Sequence, residues 1–113
     1  MPGWEEETIG YCGNDGNIYN GSQSGSTFGP RFKTNDVIGC GLELENNTVF
    51  FTKNGYLLGP ACRLEDKLWY PTVGLNTKDA VVEINFGQEP FVYDIVERHD
   101  EITSLANEKK LGK

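Results

Sequence analysis

Between Asp36 and Leu58 apolar side chains recur at every second position, and the rest of the chain is organised around this stretch. Ile38, Cys40, Leu42 and Leu44 fall on one side of an extended backbone, and Val37, Gly39, Gly41 and Glu43 fall on the other, which is the period of a strand buried mainly on one face. Glu45, Asn46 and Asn47 supply a polar reversal, because asparagine tolerates left-handed backbone angles. Thr48 to Lys53 then returns as a β-branched and aromatic run. Asn54-Gly55 separates that run from Tyr56-Leu57-Leu58 and predicts a type I′ hairpin turn, whose twist matches that of the strands it joins. Two hairpins in succession make an antiparallel meander.

Towards the amino terminus, Ile9 and Tyr11 share one side of a short strand within Thr8 to Cys12, with Trp4 packing beneath it. Asn14-Asp15-Gly16-Asn17 is a turn on residue chemistry, followed by a two- or three-residue strand at Ile18-Tyr19-Asn20. Gly21 to Gly29 has the small polar composition of an exposed loop whose single aromatic, Phe28, tucks back onto the body. Beyond the meander, Gly59 to Lys67 reads as a connection, and Leu68 to Leu75 as a buried strand that Pro71 confines to an edge or bulge. Asn76 to Asp79 is a turn, and Ala80 to Phe86 alternates as a further strand ending at Gly87. From Glu97 the spacing of Ile102, Leu105 and Ala106 predicts a short amphipathic helix, so a polar helical tail over residues 96–113 follows a domain over residues 1–95. Phe28, Phe32, Phe50, Phe51, Phe86 and Phe91 are expected to pack the core, and all but Phe28 stand in or beside the alternating runs.

A chain of 113 residues holds one domain at most, and 14 glycines with 12% aromatic residues favour an all-β sandwich over a helical bundle. The net charge of -7, with ten basic residues scattered among seventeen acidic ones, weighs against a phosphate-binding surface and hence against nucleic acid. Cys12, Cys40 and Cys62 form neither an even disulfide set nor a CxxC pair, so reduced, half-buried thiols are expected in place of a disulfide framework or a zinc site. With no apolar run long enough to cross a bilayer and no export signal, a cytoplasmic or nuclear protein is expected.

Catalysis needs convergent reactive groups, and the one histidine, His99, stands in the charged tail between Arg98 and Asp100. Gly21-Ser22-Gln23-Ser24-Gly25 has glutamine where a nucleophile elbow needs serine. Gly39-Cys40-Gly41 begins a dinucleotide fingerprint, but Leu44 takes the place of its last glycine. Asn14 to Asn17 offers oxygen ligands without the alternate spacing or closing glutamate of a calcium loop. No enzyme, metal or cofactor is therefore expected. Glu5-Glu6-Glu7 is read as a solvated rim that could attract a basic partner. Tyr19, where a turn gives way to the polar loop, is either a contact residue of a peptide-binding surface or a cap on the core edge.

Several separated motifs occur in a characteristic order: Gly10-Tyr11, Asn14-Asp15-Gly16, Phe28-Gly29-Pro30, Asp36 to Cys40, Asn47 to Gly55, Tyr70 to Leu75, and Asn85-Phe86-Gly87-Gln88 with Pro90-Phe91. Together they resemble a SPRY domain, closest to the Ran-binding protein M type, from Pro2 to about Ile95. The resemblance implies a bent sandwich of two antiparallel sheets, no catalysis, and recognition of peptide segments or partner domains by loops at one end. In peptide-binding relatives the contacts include the loop after the Asp-Gly turn and the loop after the Tyr-Pro-Thr-Val-Gly strand, which here are Tyr19 and Asn20, and Asn76, Thr77 and Lys78. It further implies a scaffold or substrate-recruiting role in the multi-subunit ubiquitin ligase called CTLH or GID. Family members carry strands before the segment equivalent to Pro2-Gly3-Trp4, so an incomplete sandwich is expected: a fragment, or one completed by a second copy or another chain. A lectin-like carbohydrate-binding jelly roll and a structural subunit without a peptide groove are the alternatives.

Overall fold

A computed structural model of the chain describes residues 1–65, 69–75 and 77–93. Among the described residues there are six strands: β1 (Ile9–Tyr11), β2 (Asn17–Asn20), β3 (Ser26–Thr27), β4 (Ile38–Glu43), β5 (Thr48–Lys53) and β6 (Tyr56–Arg63). They form two three-stranded antiparallel sheets in sequence order, β1-β2-β3 and β4-β5-β6, and no helix occurs among the described residues. The described residues fall into two compact units, one from residues 1–34 and 69–84 and the other from residues 35–65 and 85–93. The amphipathic helix expected from Glu97 lies outside the described residues.

In the first unit, β1 and β2 pair with Gly10 opposite Tyr19, and Asn17 and Ile18 of β2 pair with the two residues of β3. Asp15 and Gly16 close the β1–β2 turn: Asp15 accepts a hydrogen bond from the Asn17 backbone N–H at 2.9 Å, and Gly16 takes a φ of 74°. The polar loop after Asn20 is thus not wholly irregular, since Ser26 and Thr27 lie back against β2. Ile18 is buried, while Tyr11 packs edge-on against Phe28 and Phe32 at centroid distances of 5.2 and 4.9 Å.

The second unit holds the predicted meander. β4 and β5 pair without interruption from Ile38 opposite Lys53 to Glu43 opposite Thr48. Asn54 has a φ of 51° and Gly55 one of 85°, as a type I′ turn demands. The Asn54 side chain locks the turn to the approach to β4, its Oδ1 accepting from Val37 N–H at 2.8 Å and its Nδ2 donating to Asp36 at 3.0 Å. β6 runs on through Arg63, well past the predicted Leu58, because Ala61 and Leu58 are bulged out of the ladder with β5 and Gly59 takes a φ of 107°. All four central residues of β5, Val49 to Thr52, are buried, and Phe50 packs with Tyr93 and Leu57.

The burial of β4 corrects the expectation from its alternation. The Phe50 ring occupies the space over Gly41 where a side chain would stand, and Thr52 fills that over Gly39. The glycine side of β4 is therefore covered, and Glu43, on that side, is only 5% exposed, while Leu42 is exposed and Leu44 is 78% exposed beyond the strand. Glu43 tolerates burial because its carboxylate accepts hydrogen bonds from the backbone N–H groups of Glu45 and Asn46 and from the Asn46 amide at 2.8–2.9 Å.

Two expected strands are absent among the described residues. Residues 69–75 and 80–86 form no ladder with any strand, and Val81 is 88% and Phe86 67% exposed. β-propensity and alternation favour an extended pleated backbone, but a strand exists only where a second backbone takes up its N–H and C=O groups. Phe86 and Phe91 consequently do not join the core, whereas Phe50 and Phe51 do.

Candidate peptide-binding site

Four of the five expected contact residues are described, and all four belong to the first unit; Asn76 lies outside the described residues. Tyr19 and Asn20 end β2, where Gly21 takes a φ of 71° and its N–H donates to Thr8 O at 2.9 Å. The Ser22 N–H donates to Gly3 O at 3.0 Å, so the amino-terminal turn and the loop after β2 are tied together beside Tyr19.

Tyr19 is held in one orientation. Its hydroxyl donates to Asp15 Oδ2 at 2.5 Å, and its ring stands 6.2 Å from that of Trp4 at an interplanar angle of 59°. A Cβ at Gly25 would come within 2.7 Å of the ring carbon bearing the hydroxyl, so only glycine lets the loop lie against the ring there. The Asp15 carboxyl is held below the usual aspartate range, first by the Tyr19 hydroxyl and then by the Asn17 N–H, and the same bond raises the Tyr19 phenol. At neutral pH the pair is therefore a fixed carboxylate beside a neutral, half-buried phenol. Asn20 is exposed beside it.

Thr77 and Lys78 are both exposed, in a bend where the Ala80 N–H donates to Thr77 O at 3.3 Å. Among the described residues no hydrogen bond or ring contact joins them to Tyr19, so the expected residues form two separate loops. Two neighbours not singled out from the sequence as contact residues belong with Tyr19: Trp4, 42% exposed, and Asp15. The even spacing of Asp15, in the turn just before β2, and Tyr19, on β2, is the available signal, because side chains four apart along an extended backbone lie on the same side of it.

Among the described residues no three His, Cys, Asp or Glu side chains converge as metal ligands. The thiols do not resemble activated nucleophiles: burial raises Cys40 and Cys62, and nearby Cys40 raises Cys62 further. Cys40 counts as exposed over its whole residue, but its sulfur lies among neighbours that desolvate it.

Comparison with known proteins defines the class. The SPRY domain family model matches residues 1–89, and the chain belongs to the SPRY family, whose members are protein-interaction modules. It is similar to a human SPRY domain of known crystal structure, with a TM-score of 0.50 and 38% identity over 53% of this chain and 41% of that one, which supports an all-β antiparallel sandwich. Among curated proteins it is 53% identical to the Ran-binding proteins 9/10 homolog of Drosophila melanogaster over 92% of the chain and 11% of that protein. It is 52% identical to Ran-binding protein 9 of Homo sapiens, over 84% of the chain and 13% of that protein. Similarity reaches the Ran-binding protein M homolog of Arabidopsis thaliana at 38%, over 84% of the chain and 20% of that protein. The chain thus spans no more than about a fifth of the length of these relatives.

Proposed function

We propose that the chain is a non-catalytic recognition module that binds short peptide segments or partner domains through its loops, as a scaffold or substrate adaptor of a ubiquitin ligase complex in the cytoplasm or nucleus. The observation that carries this reading is the match to the SPRY family over residues 1–89, most of the chain. The contact residues are Tyr19 and Asn20 on one loop and Asn76, Thr77 and Lys78 on the other. Tyr19 suits the role because a ring already held by Asp15, Gly25 and Trp4 loses little rotamer freedom on binding. A further segment of the same protein, a second copy or another chain covers exposed Tyr70, Val73, Val81 and Phe86, since soluble proteins rarely leave so many large apolar side chains in water.

The test is affinity capture from cell lysate with the wild-type chain and with the Tyr19→Ala and Lys78→Ala variants, followed by calorimetry on each captured partner. Tyr19→Ala is expected to weaken binding by about 1–3 kcal/mol. Unchanged affinity with the fold intact would remove Tyr19 from the surface, and capture of no ligase subunit would remove the adaptor role.

A further inference from the structure

The aromatic surface around Tyr19 carries a charge pattern that specifies its ligand further. Trp4 is among the residues that normally lose most of their surface on folding, yet here it is 42% exposed with its ring against Tyr19. It is held there by a closed turn: Trp4 N–H donates to Met1 O at 3.1 Å, and Gly3 N–H donates to Thr8 Oγ1 at 2.9 Å. A Cβ at Gly3 would come within 2.6 Å of Tyr19 O, so the turn lies directly on β2.

The charged side chains of residues 1–30 are all of one sign, and the terminal ammonium is the one cation beside them. Residues 1–30 contain Glu5, Glu6, Glu7 and Asp15 and no Lys, Arg or His. Glu5 to Glu7 run past the position of Gly21, about 3.8 Å from where its Cβ would be, which brings the acidic segment to the same end of β2 as Tyr19. Glu5 is paired with the terminal ammonium at 3.1 Å, but Glu6 is exposed with no partner among the described residues. Asp15, whose carboxylate the Tyr19 hydroxyl meets, is exposed as well.

An aromatic face rimmed by carboxylates attracts a cation twice, through the ring quadrupole and through the opposite charge. Among biological cations the guanidinium is the one whose flat, weakly hydrated face stacks on an indole while its edge forks to a carboxylate. We propose that the Trp4–Tyr19 surface, with Glu6 and Asp15 at its rim, is a seat for an arginine side chain of the bound polypeptide. This rests on the peptide-binding reading of the Tyr19 loop and names the class of peptide: basic, with at least one arginine.

The test is selection of a random heptapeptide phage library on the protein, followed by titration of the strongest selected sequence as a synthetic peptide and as its arginine-to-citrulline analogue, which keeps shape and loses charge. Arginine-enriched peptides are expected, with citrulline weakening binding about tenfold and Trp4→Ala doing the same. Glu6→Gln and Asp15→Asn preserve size, and in the latter the asparagine keeps one oxygen to accept from the Asn17 N–H while its amide can donate to the Tyr19 hydroxyl; with wild-type melting confirming the fold, each is expected to weaken the arginine peptide several-fold. Glu83→Gln, a carboxylate elsewhere on the unit, is expected to change nothing. Peptides that depend on Tyr19 but lack arginine, or bind equally well as citrulline analogues, overturn the arginine seat and leave the loop reading standing. An equal loss from Glu83→Gln, or none from Trp4→Ala, also overturns it, since attraction is then only to net charge. A library that yields no binder overturns both readings.

Discussion

The ring of Phe50 occupies the volume that a side chain at Gly41 would need, across the β4–β5 ladder in which the two residues are directly opposed. The cross-strand pair is thus one side chain shared by two positions, and it decides which side of β4 is covered. Gly41→Ala should force the ring and its neighbours Tyr93 and Leu57 to shift, at a cost of about 1–3 kcal/mol. Chemical denaturation should show a lower midpoint at unchanged slope, and a midpoint within error of wild type would mean the ring is free to move aside.

The Asn54 turn separates backbone strain from side-chain ties. Asn54→Ala loses both the acceptor for Val37 N–H and the donor to Asp36, and puts an ordinary residue at a φ of 51°. A loss of about 2–3 kcal/mol is expected, of which the left-handed conformation alone accounts for about 1–2 kcal/mol. Asn54→Gly keeps the permitted backbone and should recover a good part of it. Thermal melts of the two variants in parallel measure the difference, and equal loss in both would assign the whole effect to the side-chain bonds.

Glu43 is a buried acceptor for the β4–β5 turn. Glu43→Ala strands the N–H groups of Glu45 and Asn46 and is expected to cost about 2–3 kcal/mol, whereas Glu43→Gln retains one oxygen acceptor and should cost less. Amide exchange at residues 45 and 46 reports the loss locally; protection there that survives Glu43→Ala would contradict it.

The Asp15–Tyr19 bond makes a pH-dependent contribution of known sign. Asp15 has its folded value lowered, so its contribution is present above the ordinary aspartate range, roughly pH 4, and is lost as pH falls through the lower folded value. Tyr19 has its folded value raised, so its share is present below about pH 10 and is lost as pH rises through the folded value. Tyr19→Phe should flatten both limbs of the stability-against-pH curve while keeping the ring in place. Limbs as steep as wild type would show that other groups dominate the titration.

The meander was legible in the sequence because its signals are local: Asn54-Gly55 requires positive φ, and Thr48 to Thr52 is β-prone at every position. The covered side of β4 was not legible, since alternation reports two faces and says nothing of which one a ring from the next strand will fill. Residues 69–75 and 80–86 failed for the related reason that pairing depends on a second backbone and not on the run itself. Tyr19 was singled out through its place after a turn, and its bond to Asp15 is as local as that turn, but its contact with Trp4 depends on the fold of the Met1–Trp4 turn, which no local pattern signals.

The outer strand β6 carries a proline, Pro60, and two residues bulged from its ladder. Another chain adding to that border would meet an interrupted row of donors and an uneven spacing, so the β6 border of the sheet is a poor template for fibrous growth. A protein-interaction domain gains from a border of this kind, because there its backbone offers another chain no continuous ladder to extend.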